Sequence, residues 1–211
     1  MSGSYDFEEQ ERIAELKAWW EDNRWYVAGG VVAALLAFGG YRGWVHWSTQ
    51  QAEDAAAMYT PVAEAAKGKD EKKTADSAQA LIDKHPRSYF ASESALVLAK
   101  NAFEAGNLDE AKKRLEWVLA NGVEEHRGIA RIRLASVLLD QKKYDEALKA
   151  LDGNRDEAFA ALAADLRGDI MLAQNRLDEA RASYKLAVEK GGRNPVKGIA
   201  ETKLQALGGA Q

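Results

Sequence analysis

The sequence predicts an all-α fold: a single N-terminal helix that a lipid bilayer would accept, followed by a stack of helix hairpins. Three observations point there. Residues Trp25 to Tyr41 form an uncharged run, WYVAGGVVAALLAFGGY, held between Arg24 and Arg42. The 211 residues include only three prolines, and alanine, leucine, lysine and glutamate dominate them, the composition of long helices. A short pattern, a turn residue and then apolar-Asp-Glu-Ala, occurs in GNLDEA (106–111), KKYDEA (142–147) and NRLDEA (175–180).

The first 24 residues read as an acidic cytoplasmic tail with a short amphipathic segment, and residues 25–47 as a transmembrane helix. At 1.5 Å per residue the uncharged run gives roughly 25 Å, and extension through Trp47 gives roughly 34 Å, enough for a hydrocarbon core of about 30 Å. The extension takes in Arg42, whose stem can carry its guanidinium to the headgroup layer. Trp19, Trp20, Trp25 and Tyr26 on one side and Tyr41, Trp44 and Trp47 on the other form the aromatic belts of such a helix. A cleaved signal peptide fits poorly, because the leader is long and acidic and the exit sequence is bulky. Arg12, Lys17 and Arg24 precede the run, whereas Arg42 stands alone after it until Lys67, so the tail is expected inside and the C-terminal part exported.

Residues 48–211 have the length of one compact domain with its own core. The motif alanines, Ala111, Ala147 and Ala180, are 36 and 33 residues apart, close to the 34-residue period of a tetratricopeptide repeat. Twelve residues before each stand Ala99, Ala135 and Gly168, small enough for a second helix to approach the first closely. Four after each stand Leu115, Leu151 and Tyr184, which would fill the hairpin. Asp and Glu of the motif fall in the first turn of the second helix, where carboxylates complement the helix dipole. A degenerate leading unit is expected, with helices near 52–67 and 74–84 around a polar turn at 68–73, ended by Pro86. Residues 195–207 read as a capping helix. The whole domain is thus a right-handed tetratricopeptide-like stack.

A net charge of −4 offers no basic stripe for nucleic acid, and the absence of cysteine removes disulfides, thiolate metal sites and a cysteine nucleophile. His46, His85 and His126 lie far apart with no metal-ligand spacing, and no nucleophile elbow or phosphate-binding glycine loop is present. Asp165 and Asp169, one helical turn apart, could hold a cation, but Arg167 beside them favours a solvated face. No catalytic residue, cofactor or metal is expected; a tethered repeat domain without such a constellation reads as a binding device, not an enzyme.

The order of acidic tail, single span and four helical units resembles the YfgM family of bacterial inner-membrane proteins. IAELKAWWEDN (13–23) is similar to that family's pre-membrane segment, GWVHW (43–47) to its exit from the membrane, and ADLRGD (164–169) to a stretch of its last repeat. The resemblance implies an ancillary subunit of the SecYEG translocon whose periplasmic repeats bind a PpiD-like chaperone, nascent secreted polypeptides, or both. A membrane-anchored scaffold for another periplasmic assembly, in cytochrome or envelope biogenesis, is the rival reading.

Two binding surfaces are expected. In a repeat stack the first helices line the concave side. The positions three before, one after and four after the small residue are Leu96, Lys100 and Phe103; Ile132, Ser136 and Leu139; and Asp165, Asp169 and Leu172. Apolar residues on such a face suit a helix or an extended segment. The second surface lies on the span, where Gly29, Ala33 and Ala37, and likewise Gly39 and Gly43, recur every four residues and allow close helix contact, with Arg42 gaining from a protein neighbour.

Overall fold

In the computed structural model, which describes residues 3–154 and 156–208, every regular element is helical. The order is α1 (Gly3–Lys67), α2 (Glu71–Lys84), α3 (Tyr89–Glu104), α4 (Leu108–Asn121), α5 (Glu124–Asp140), α6 (Tyr144–Asp152), a 3-10 turn (Glu157–Phe159), α7 (Ala160–Ala173), α8 (Leu177–Gly191) and α9 (Val196–Ala206). Two compact units divide the chain, Met1–Gln51 and Ala52–Gln211.

The first unit is helical throughout its described length, and none of residues 9–51 is buried. Val31, Val32, Leu35, Leu36 and Phe38 are all more than half exposed, as are Trp19, Trp20, Trp25, Trp44 and Trp47. Among the described residues, no helix is long and apolar enough to cross a membrane on mean hydropathy. The transmembrane helix expected over 25–47 is therefore not obtained on that measure. The reason is compositional: five glycines, the aromatic collars and Arg42 dilute the valines, leucines and alanines between them.

The second unit is a series of four helix hairpins and a closing helix. Each hairpin turns through one residue in the left-handed region: Lys69 (φ 57°), Gly106 (φ 76°), Lys142 (φ 60°) and Asn175 (φ 60°). The N–H of the next residue reaches back to a carbonyl five residues earlier, Asp70 to Ala65, Asn107 to Ala102, Lys143 to Leu138 and Arg176 to Met171, at 2.8 to 3.0 Å. These bonds satisfy carbonyls that the ending helix leaves unpaired. The second helix then begins at once, in two cases under a side-chain cap. Asp70 accepts from the Lys73 N–H and Asn107 from the Glu110 N–H. The Asp70 cap starts α2 at Glu71, three residues before the expected Thr74.

The four turns bring the leading unit into register with the others. Five residues after each left-handed position stand Thr74, Ala111, Ala147 and Ala180, all with no exposed surface. Across each hairpin a small residue faces a larger one: Ala99 with Leu115, Ala135 with Leu151, Gly168 with Tyr184, each buried. In the leading unit the same two positions hold Val62 and Ala78, both fully buried, so the larger partner has moved to the first helix. The sum of volumes is what close packing constrains, and it can be divided either way. One apolar cluster runs from Val62 through Leu98, Leu115, Leu138 and Leu151 to Ile170. Smaller clusters around Tyr184 and around Ala187 with Ala200 join α7, α8 and α9.

Candidate functional site

The first helices of successive hairpins, α3, α5 and α7, touch one another in sequence, and α7 touches α9. This stacking decides where the nine expected face residues lie. The position three before the small residue is turned into the neighbour: Leu96 and Ile132 are 4% exposed and Asp165 is 7% exposed. Leu96 and Ile132 are therefore core residues and not part of an open groove. The position one after is open, with Lys100 exposed and Ser136 and Asp169 half-buried. At the position four after, Phe103 and Leu172 are exposed and Leu139 is half-buried.

Three of the open residues come together. Lys100, Phe103 and Ser136 line a cavity of about 350 Å³ between α3 and α5, whose floor is Ala99, Leu115 and Val137 and whose remaining edge is Arg133. Sequence reasoning missed Arg133, because an arginine two residues from a buried alanine on an amphipathic helix carries no signal beyond a solvated face. A second depression of about 390 Å³ shares Lys100 and extends between Lys69, Glu71 and Thr74 on one side and Val97, Asn101 and Glu104 on the other, so its lining carries both signs of charge. Lys100 also approaches Glu104 one turn on, at 3.7 Å, in a pair whose two side chains are both largely exposed.

Asp165 and Asp169 do not form a solvated face. The Lys203 ammonium of α9 sits 2.8 Å from each carboxylate, and the Tyr184 hydroxyl donates to Asp169 Oδ1 at 2.8 Å. Lys203 also lies 5.4 Å from the centre of the Tyr184 ring. The cation that the two carboxylates hold is thus supplied by the chain itself. Burial pushes the Asp165 carboxyl up from its ordinary value, against the lowering effect of Lys203. Burial acts to lower Lys203, but its hydrogen bonds to Asp165 and Asp169 outweigh that and its value rises. Asp165 is the more enclosed partner, its side chain 10% exposed against 29% for that of Lys203, and its Oδ1 is buried with no hydrogen-bond partner among the described residues. Burial first, and then donation to Asp169, holds the Tyr184 phenol well above the ordinary tyrosine range.

Two of the three histidines are buried within the repeats, and His46 is exposed on α1. His126 is buried against the Tyr89 ring and approaches Glu93 at 3.3 Å, joining α5 to α3. His85 caps α2. Among the described residues no three His, Cys, Asp or Glu side chains are grouped to hold a metal ion. On α1, Gly29, Ala33, Ala37, Gly39, Arg42 and Gly43 are all exposed, with open space where the three glycines would carry a Cβ.

Comparison with known proteins agrees with the hairpin series. A family model described as a tetratricopeptide repeat-like domain matches residues 17–209. A protein of Neisseria gonorrhoeae named ancillary SecYEG translocon subunit is 31% identical over 203 residues, 95% of this chain and 97% of that protein. Proteins of the same name from Haemophilus influenzae and Escherichia coli are 30% and 28% identical, over 89% and 86% of this chain and 92% and 87% of their own lengths. The chain belongs to the YfgM family. Both units fall within the similarity to these YfgM relatives, so the exposed helical segment and the hairpins are parts of one family architecture.

Proposed function

We propose that this YfgM-family protein is a non-catalytic ancillary subunit of the SecYEG translocon, tethered in the bacterial inner membrane through residues 25–47 with its repeats in the periplasm. The observation that carries the reading is the end-to-end likeness to relatives bearing that name. The run of exposed apolar side chains from Val31 to Phe38, between two groups of exposed tryptophans, supports the tether, since such a surface is covered by lipid or by another helix. Gly29, Ala33, Ala37, Gly39 and Gly43 are the residues through which it would meet a translocon helix, with Arg42 near the interface. The repeat face carries the second contact, to a PpiD-like chaperone or an emerging chain, through Lys100, Phe103, Ser136, Leu139 and Leu172.

Purification from native membranes in mild detergent tests the assignment. SecYEG is expected to accompany the full chain and to be lost when Gly29, Ala33 and Ala37 are replaced by leucine. Recovery of a cytochrome or envelope-assembly complex in its place would support the rival scaffold and overturn the translocon reading.

A further inference from the structure

We propose that the hairpin of α5 and α6 holds a small carboxylate ligand against Arg127, Arg131 and Asn154. The hairpins on either side show what those three positions ordinarily contain. Sixteen residues before the motif alanine stand Ala95, Arg131 and Ala164; twenty before it stand Ala91, Arg127 and Ala160; seven after it stand Val118, Asn154 and Ala187. Ala91, Ala95, Val118 and Ala187 are completely buried and Ala164 nearly so. Of these three hairpins, only the middle one carries polar groups where its neighbours pack apolar ones.

The second helix of this hairpin is also short: α6 has 9 residues, against 14 in α4 and 15 in α8. A cavity of about 690 Å³ lies between the first turns of α5 and the chain leaving α6. Two glycines line it, with Phe159 over Gly128 and the Arg131 guanidinium over Gly153, each where a Cβ would collide. The donors around it lack acceptors. Arg131 is half-buried and makes no ion pair or hydrogen bond among the described residues. Arg127 gives one nitrogen to Glu124 at 2.8 Å, but its Nε is buried without a partner among the described residues. Asn154 Oδ1 accepts from the Asp156 N–H at 3.3 Å, which sets the orientation of the amide and leaves Nδ2 buried and equally unmet. A buried donor without an acceptor is costly, and an oxyanion drawn in by the part-exposed Arg131 supplies the missing acceptors.

The rim limits the charge of the ligand. Glu124, Glu125, Asp152 and Asp156 also line the cavity. Glu124 is held by Arg127, Asp152 by Arg167 at 2.5 Å, and Asp156 caps the 3-10 turn by accepting the Ala158 N–H, so three of the four already have partners. Four carboxylates around two guanidiniums still repel a second negative charge. A singly charged carboxylate, planar and matched to the guanidinium fork, is therefore favoured over a doubly charged oxyanion.

Proton-nitrogen NMR of the full chain in a nonionic detergent tests this, with sodium acetate titrated in place of sodium chloride at constant ionic strength. Saturable shifts of the Arg127 and Arg131 Nε–H signals and of the Asn154 side-chain amide are expected with acetate and not with chloride. Arg131→Ala and Asn154→Val install the residues of a flanking hairpin, so each should fold with a thermal midpoint equal to or above that of the natural chain, as circular dichroism checks. Each should weaken acetate binding by about tenfold or more. No saturable acetate shift in the natural chain, or acetate binding unchanged in both variants, would overturn the proposal. Sodium sulfate binding more tightly than acetate at the same ionic strength would overturn the singly charged carboxylate.

Discussion

Gly168 and Tyr184 carry the widest size contrast in the hairpin series. A Cβ at Gly168 would collide with the Tyr184 ring, and that ring is completely buried. Replacing the glycine by alanine gains about 1 kcal/mol of helix propensity, but overpacking a fixed ring costs about 1–3 kcal/mol, so the net effect at so short a contact is destabilising. Gly168→Ala is expected to lower the urea midpoint followed by helical circular dichroism. Combining it with Tyr184→Leu, which recreates the Ala-Leu pair of the middle hairpins, should cost less than the two single changes together. Additive losses would show that the two residues do not share one packing constraint. Leu96 and Phe103 give a second contrast on one helix. Leu96→Glu places a charge in the core and should cost about 3 kcal/mol or more, while Phe103→Glu, already part-exposed, should stay within about 0.5 kcal/mol. Similar falls in the thermal midpoints of both variants would contradict the packing of α3 on α5.

At the scale of the element, the turns and the closing helix were legible to different degrees. The left-handed position is glycine in one hairpin, asparagine in another and lysine in two, and only the first two residue types announce such a turn. Lys69 and Lys142 are held there by backbone hydrogen bonds that no residue type reveals. Helix α9 was legible from Pro195 following the turn residues Gly191, Gly192, Arg193 and Asn194, but its anchor was not. Lys203 meets Asp165 and Asp169 across 38 and 34 residues of chain, and lysines on amphipathic helices usually face water. This anchor has a pH signature. Lys203 binds its proton more tightly folded than unfolded, so its contribution is full below the unfolded lysine value of about 10.4 and is lost as pH rises through the higher folded one. Asp165, also raised, acts at the acid end: stability falls as pH climbs from about 3.9 through its folded value and is flat beyond it. The advantage of the natural chain over Lys203→Gln, about 2 kcal/mol for a pair that is only part-buried, should therefore hold from pH 7 to 9 and shrink above about 10.4. Denaturant midpoints collected across that range check it, and an advantage that survived undiminished to pH 12 would remove Lys203 from the account.

For the whole molecule, the proposed tether carries a prediction about sidedness. Three cationic residues before the uncharged run against Arg42 alone after it favour a cytoplasmic tail. Protease added outside spheroplasts is expected to degrade the unit from Ala52 onward and to spare the residues before Trp25. Degradation only after lysis would reverse the topology and end the case for an exported binding face.

Alone, the sequence determined the helical class, the hairpin period and the size-paired positions from Ala99 to Tyr184, because these follow from local periodicity and from volumes that must sum to a packed interior. It also placed Leu96, Lys100 and Phe103 on one side of their helix, since residues one turn apart share a side, but not which of the three the next hairpin covers. Only the tertiary structure decided that Leu96 and Ile132 face the next hairpin, that Arg133 joins the edge of the cavity, and that Lys203 closes on Asp165 and Asp169. Each of those depends on the offset between neighbouring helices, a distance between residues remote in the chain that no local pattern encodes.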